Sequence, residues 1–278
     1  MKKRPTCSLL ISTYNWPDAL RLCLLSAFRQ SVLPNEIIVC DDGSRDDTRQ
    51  LIDQLRPLSP VPLLHVWQPD EGFQLARIRN KGLARSSYQY ILQIDSDIIL
   101  HRHYVKDQLA NARQGFFFSG NRYYLSPDES IRLLADPAAS EHIPFKLNKM
   151  SWRRLRLPVL QNPMRWYYHW PTEYLYTTGC NMAFWRQDLV DVNGYDESFK
   201  GWGWEDTDLA LRLMNKNVSL QFIRFGAIQF HIYHREVSPD KRNENYARAM
   251  VSKEKKIIYC QQGMSQYLLA ANHQPAIV

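Results

Sequence analysis

Three short apolar runs that each end in acidic or polar residues constrain the chain most. Residues 7–12 lead into Thr13-Tyr14-Asn15, residues 36–40 into the turn from Asp41 to Asp47, and residues 90–94 into Asp95-Ser96-Asp97. Runs that are apolar throughout, not alternately, read as strands covered on both faces, the mark of a parallel sheet between helices. Helical patterns follow them: Leu20, Leu24, Ala27 and Phe28 after Trp16-Pro17-Asp18, a segment 48–55 capped by Asp47 or Thr48, and a segment 75–84, with a further strand at 63–67. The alternation predicts the α/β class, with a doubly wound, mostly parallel sheet and helices on both faces. Ligands of such sheets bind beyond the carboxyl ends of the strands, so the three polar loops should converge on one rim.

The pattern fades over residues 122–176, which read as a long connection or lid, and returns with helices expected at 183–192 and 207–215, a strand at 219–225 and a helical tail over 242–267. With 278 residues, 45% hydrophobic, the chain can bury a sizeable core. A formal net charge of +7 suits anionic partners such as phosphate-bearing ligands or lipid headgroups. Nucleic acid is disfavoured, because aromatic and basic residues interleave only around Trp152, Arg153, Arg154 and Arg156. The basic, Trp-containing stretch 146–170 is expected to touch an acceptor or an anionic membrane surface. The five cysteines are odd in number and widely spaced, which predicts reduced core thiols and no zinc site. Lys2-Lys3-Arg4 precede an apolar run that Asn15 to Asp18 interrupt, so the start reads as a first strand and not as a signal peptide. No run approaches the ~20 apolar residues of a spanning helix. The expected location is cytoplasmic, peripheral on the inner membrane face.

Asp95 and Asp97, one residue apart after a buried strand, can together hold a hard divalent ion through oxygen. Such an ion neutralises the charge that develops on a departing nucleoside diphosphate, and Asp97 is the expected direct ligand. His231 and His234 offer neutral imidazole as a further ligand. The stretch from Gly201 to Asp208, GWGWEDTD, brings Glu205 and Asp206 to a helix start beside Trp202 and Trp204, a flat apolar wall that can grip a sugar and partly desolvate a base. Asp42 could accept hydrogen bonds from a base or ribose. Taken singly, each of these also reads as a solvated turn or an acidic helix cap.

Together, STYN at 12–15, VCDDGSRDDT at 39–48, ARIRNKGL at 76–83 and DSD at 95–97 resemble the family-2 glycosyltransferases of the GT-A fold, a Rossmann-like architecture, here with a carboxyl-terminal acceptor-side region. GYDESFKGWGWEDTDLALRL at 194–213 resembles the galactosyltransferase-type region of bacterial chondroitin-type polymerases and animal β-1,4-galactosyltransferases. The resemblance implies one continuous domain: a nucleotide-sugar-binding half at 1–120, a variable acceptor or lid segment at 121–176, a catalytic and acceptor-binding half at 177–241 and a helical tail at 242–278.

The resemblance further implies an inverting enzyme that moves a sugar from a nucleoside-diphosphate sugar, UDP by family habit, to a glycan or glycolipid hydroxyl in surface polysaccharide or lipopolysaccharide synthesis. It assigns Ser12, Tyr14, Asp42 and Asp95 to the nucleotide, with Arg79 near the diphosphate. Asp97 and His234 hold manganese or magnesium, Asp206 is the base with Glu205 on sugar hydroxyls, and Trp202, Trp204 and Gly179 flank the acceptor or donor sugar. Trp204 departs from the Gly usual before the Glu-Asp pair and is expected to crowd the sugar site. The alternatives are a sugar nucleotidyltransferase, whose Gly-rich loop after the first strand is missing from Ser12-Thr13-Tyr14-Asn15, and an inactive carbohydrate-binding relative.

Overall fold

The computed structural model describes residues 4–138, 156–161, 174, 177–234 and 242–271. Strands β1 (Cys7–Thr13), β2 (Glu36–Asp41), β3 (Leu63–Trp67) and β4 (Tyr90–Asp95) alternate with helices α1 (Pro17–Phe28), α2 (Asp46–Leu55) and α3 (Leu75–Arg85). There follow β5 (Ile98–Leu100), α4 (Tyr104–Asn111), β6 (Phe116–Gly120), β7 (Tyr123–Tyr124) and α5 (Pro127–Ala135). The chain resumes with β8 (Met182–Trp185), α6 (Arg186–Asp191), α7 (Glu205–Asn215), β9 (Ser219–Ile223), β10 (Gln229–His231), α8 (Arg242–Glu254) and α9 (Ser265–Ala271). A seven-stranded sheet runs in the order β3-β2-β1-β4-β8-β6-β9, with β8 antiparallel to both neighbours, and β5-β10-β7 form a second, small sheet.

The continuous apolar character of the strands has a direct cause. Leu9, Ile11, Ile37, Val39, Leu92 and Ile94 face the core beneath α1, α2 and α4, whereas Leu10, Ile38, Cys40 and Ile91 face the core beneath α3, α6 and α7. Both parities are buried, so both are apolar, and each fully buried aliphatic side chain stabilises by about 1.5–3 kcal/mol. All five cysteines are buried free thiols. Among the described residues no helix is long and apolar enough to cross a membrane.

Four expectations need correction. The helix expected at 183–192 begins as a strand, because Met182 and Ala183 pair with both β4 and β6, Phe184 pairs with β4, and all three are buried; only Arg186–Asp191 is helical. The cap expected at Asp47 or Thr48 is not formed: α2 starts at Asp46 behind Arg45, without a side-chain cap bond. The tail breaks between Glu254 and Ser265, and the stretch expected to be irregular contains β7 and α5, the latter closed by a capping box of Ser126 and Glu129.

The basic stretch 146–170 lies almost wholly outside the described residues. Among its described residues, 156–161, Arg156 forks onto Asp107, with contacts of 2.7 to 3.1 Å. Arg153 and Arg154 lie outside the described residues.

Candidate active site

The parallel register brings the strand ends to one rim. Ser12 stands beside Cys40 on one side and Asp95 on the other, and Thr13 beside Asp41. Beyond β4 the chain turns at once, with Ser96 N–H donating to the Ser12 carbonyl at 2.8 Å. Ile232 N–H donates to the Asp97 carbonyl at 2.9 Å, which draws the end of β10 across the same rim.

Asp97 thereby meets two imidazoles. Its Oδ2 lies 3.3 Å from His231 Nε2 and 3.1 Å from His234 Nε2, and one ligand atom from each of the three residues falls within 4.8 Å of the others. Trp16 packs edge-on against the His234 ring at 5.8 Å. Burial, against the pull of Asp97, holds His231 below the ordinary histidine range, which keeps a nitrogen lone pair available. Asp97 Oδ1 is buried and has no hydrogen-bond partner among the described residues. An orphaned buried carboxylate oxygen beside two imidazoles fits a divalent cation, since the ion would satisfy what the protein leaves open. His231, which the resemblance passed over for His234, is brought in on equal terms.

Arg79, on α3 and only 1% exposed, organises the acids. Its Nε donates to Ser12 Oγ (3.1 Å), Nη2 to Asp95 Oδ1 (3.0 Å) and Nη1 to Asp206 Oδ1 (2.9 Å), and Glu205 lies 3.7 Å away. Expected near a diphosphate, Arg79 here holds carboxylates that would otherwise repel one another. Burial and the charges of Asp97 and Asp206, opposed by Arg79, raise the Asp95 carboxyl above the usual range. Glu205 is pushed up to about 8 by burial and then by the charge of Asp206, against the pull of Arg79. Its Oε2 is buried without a partner among the described residues.

Asp206 has two unlike oxygens. Oδ1 receives Arg79, the Tyr195 hydroxyl at 2.9 Å and a long contact from Gln93 Nε2 at 3.5 Å. Oδ2 faces Gly179, where a Cβ would sit 1.9 Å away. Sequence reading missed Gln93 and Tyr195, although a glutamine inside YILQID, an otherwise apolar strand, is a signal that a buried polar contact exists.

At the nucleotide end, Asp42 accepts Gln68 Nε2 at 2.6 Å and Gln74 N–H at 2.9 Å, leaving each oxygen a further lone pair. Tyr14, half exposed, donates its hydroxyl to Asp70 at 2.9 Å. The sugar-site tryptophans part company: Trp202 is 44% exposed, while the Trp204 ring packs edge-on against Tyr246 of α8 at 4.8 Å. Trp204 takes φ 72°, the left-handed region, which explains why glycine suits this position and costs a non-glycine residue about 1–2 kcal/mol. The expected crowding is therefore redirected, because the ring is spent against the tail helix.

The model of glycosyl transferase family 2 matches residues 8–172, and that of the N-terminal domain of galactosyltransferase matches residues 164–235. A chondroitin synthase of Escherichia coli is 26% identical over 260 residues, covering 85% of this chain and 35% of the relative, so the chain spans about a third of that protein's length. A mannosyltransferase of Pyrobaculum calidifontis in complex with GDP-Man and Mn2+ superposes with a TM-score of 0.60 at 15% identity, covering 98% of this chain and 70% of that one. S. aureus TarS in complex with UDP superposes with a TM-score of 0.60 at 17% identity, covering 96% and 70%. At these identities the two structures establish the shared GT-A fold.

Proposed function

The chain belongs to glycosyl transferase family 2, and on that premise we propose that it is a metal-dependent, inverting enzyme that moves a sugar from a UDP-sugar to a hydroxyl of a glycan or glycolipid in surface polysaccharide synthesis. The observation that carries this reading is the pairing of Asp206, anchored through one oxygen, with the Asp97, His231 and His234 cluster on the same rim. The GDP-Man and UDP complexes of the fold relatives support a nucleotide-sugar donor, the UDP complex supports the choice of UDP, and the chondroitin synthase among the sequence relatives supports the acceptor class.

In this mechanism Tyr14 and Asp42 take the base, Asp95 the ribose, and Glu205 and Trp202 the sugar, with residues 1–120 as the donor half and residues 177–241 as the acceptor half. A divalent ion held by Asp97, His231 and His234 would supply positive charge against the leaving diphosphate. Asp206 Oδ2 takes the acceptor hydroxyl proton as its oxygen attacks the anomeric carbon, and the bond to the diphosphate oxygen breaks with its electron pair leaving on the nucleotide. One displacement from the opposite face inverts the centre, and no protein nucleophile is needed. Location at a membrane surface, which the net charge favours, belongs to the same proposal.

A thermal-shift screen of nucleotide sugars with and without Mn2+ tests it. A true donor at about 100 times its Kd stabilises by about 2.7 kcal/mol, roughly 5–10 °C for a chain of this size, and does so only with metal. Equal shifts without metal, or none with any nucleotide sugar, would refute the reading.

A further inference from the structure

Tyr195 is fully buried, and its backbone is held from both sides: its N–H donates to Asn80 Oδ1 at 2.8 Å and its carbonyl accepts Asn80 Nδ2 at 2.8 Å. Its ring stands 5.3 Å from the Arg79 guanidinium. The hydroxyl so placed lies between two acceptors, Asp206 Oδ1 at 2.9 Å and Gln93 Oε1 at 2.8 Å. Gln93 is fixed in turn, because its Nε2 donates to the Gly179 carbonyl at 2.9 Å and so aims Oε1 at the phenol.

A phenol has one proton and here two acceptors. An ionised carboxylate outcompetes an amide oxygen for it, whereas a protonated carboxyl does not. We infer that Tyr195 is a positioning residue that anchors Oδ1 of Asp206 while it is ionised, leaves Oδ2 as the proton-accepting oxygen, and turns its hydrogen to Gln93 once Asp206 is protonated. The inference rests on the reading of Asp206 as the base. The titratable and charged groups facing Asp206 are Arg79, Glu205, Asp95 and Tyr195. Tyr195 itself stays protonated, since burial and the Asp206 charge hold it well above the ordinary tyrosine range.

The test follows hydrolysis of whichever of UDP-glucose, UDP-galactose, UDP-N-acetylglucosamine and UDP-glucuronate the wild-type protein cleaves fastest with Mn2+. Water is the acceptor: its proton goes to Asp206, its oxygen bonds to the anomeric carbon, and UDP leaves with the electron pair. Tyr195→Phe should lower kcat roughly 10- to 100-fold, because Asp206 loses the anchor that aims Oδ2 at the acceptor and a misplaced reacting group costs on that order, with donor KM within about twofold. The acid limb of kcat/KM should move to higher pH, because the ionised form has lost a donor. Gln93→Met, which leaves the phenol only Asp206 as acceptor, should move that limb the other way.

An unmoved acid limb in Tyr195→Phe, or a loss confined to KM, overturns the inference. Asp206→Asn is the separating arm. If it is inactive while Tyr195→Phe behaves as wild type, only the role of Tyr195 fails. If it is fully active, the reading of the base fails, and this inference with it.

Discussion

Asp206→Asn loses sugar transfer by about 10²–10⁴-fold, the range general-base catalysis supplies, and still binds UDP with Mn2+ within about twofold of wild type. The amide keeps the volume of the acid, and its oxygen can take the place of Oδ1 under Arg79 and Tyr195. The NH2 then takes the place of Oδ2 and has no lone pair to accept a proton. The acceptor hydroxyl loses its base while the cluster of Asp97, His231 and His234, proposed to hold the metal, is untouched. Steady-state kcat with a glycan acceptor, set against calorimetric UDP affinity, reads the two effects apart.

Gly179→Ala should lower kcat by about 10²-fold without removing any reacting group. The new Cβ would sit 1.9 Å from Asp206 Oδ2 and 2.6 Å from Cγ, well inside contact distance. Asp206 has little freedom to yield, because its other oxygen is tied to Arg79 and Tyr195, so the 177–181 loop and the carboxylate must shift together. A displacement of about 1 Å at a reacting group costs on that order. Loss of kcat with UDP and Mn2+ binding retained and a melting temperature lowered by a few degrees is the expected pattern. An alanine variant with wild-type kcat would mean that Oδ2 does not work in the space beside Gly179.

The parts that were legible in the sequence were those with a local signature. Strands β1, β2, β3 and β4 showed as short apolar runs because helices cover both faces of the sheet, and their polar ends marked the rim. The Asp95 to Asp97 turn and the Glu205-Asp206 pair announced chemistry by residue type and position alone. What stayed hidden depends on distance along the chain or on equal-looking patterns. Met182–Trp185 is too short and too apolar to distinguish a strand from the first turn of a helix until its neighbours in the sheet are known. Arg79 gathers Ser12, Asp95 and Asp206 from separations of 67, 16 and 127 residues, which no local pattern records.

Trp204 is an instructive middle case. The sequence marks it as unusual, but only the left-handed backbone explains why glycine is favoured there, and only the contact with Tyr246 reveals what the ring does.

In the proposed mechanism labour is divided, with Asp97 serving the metal and nucleotide and Asp206 serving the acceptor proton. The most direct test is calorimetric titration of UDP, with and without Mn2+, into the wild-type protein, Asp97→Asn and Asp206→Asn. Mn2+ should strengthen UDP binding equally in wild type and Asp206→Asn, and Asp97→Asn should lose that strengthening. Metal-dependent UDP binding that survives in Asp97→Asn and disappears in Asp206→Asn would contradict the division.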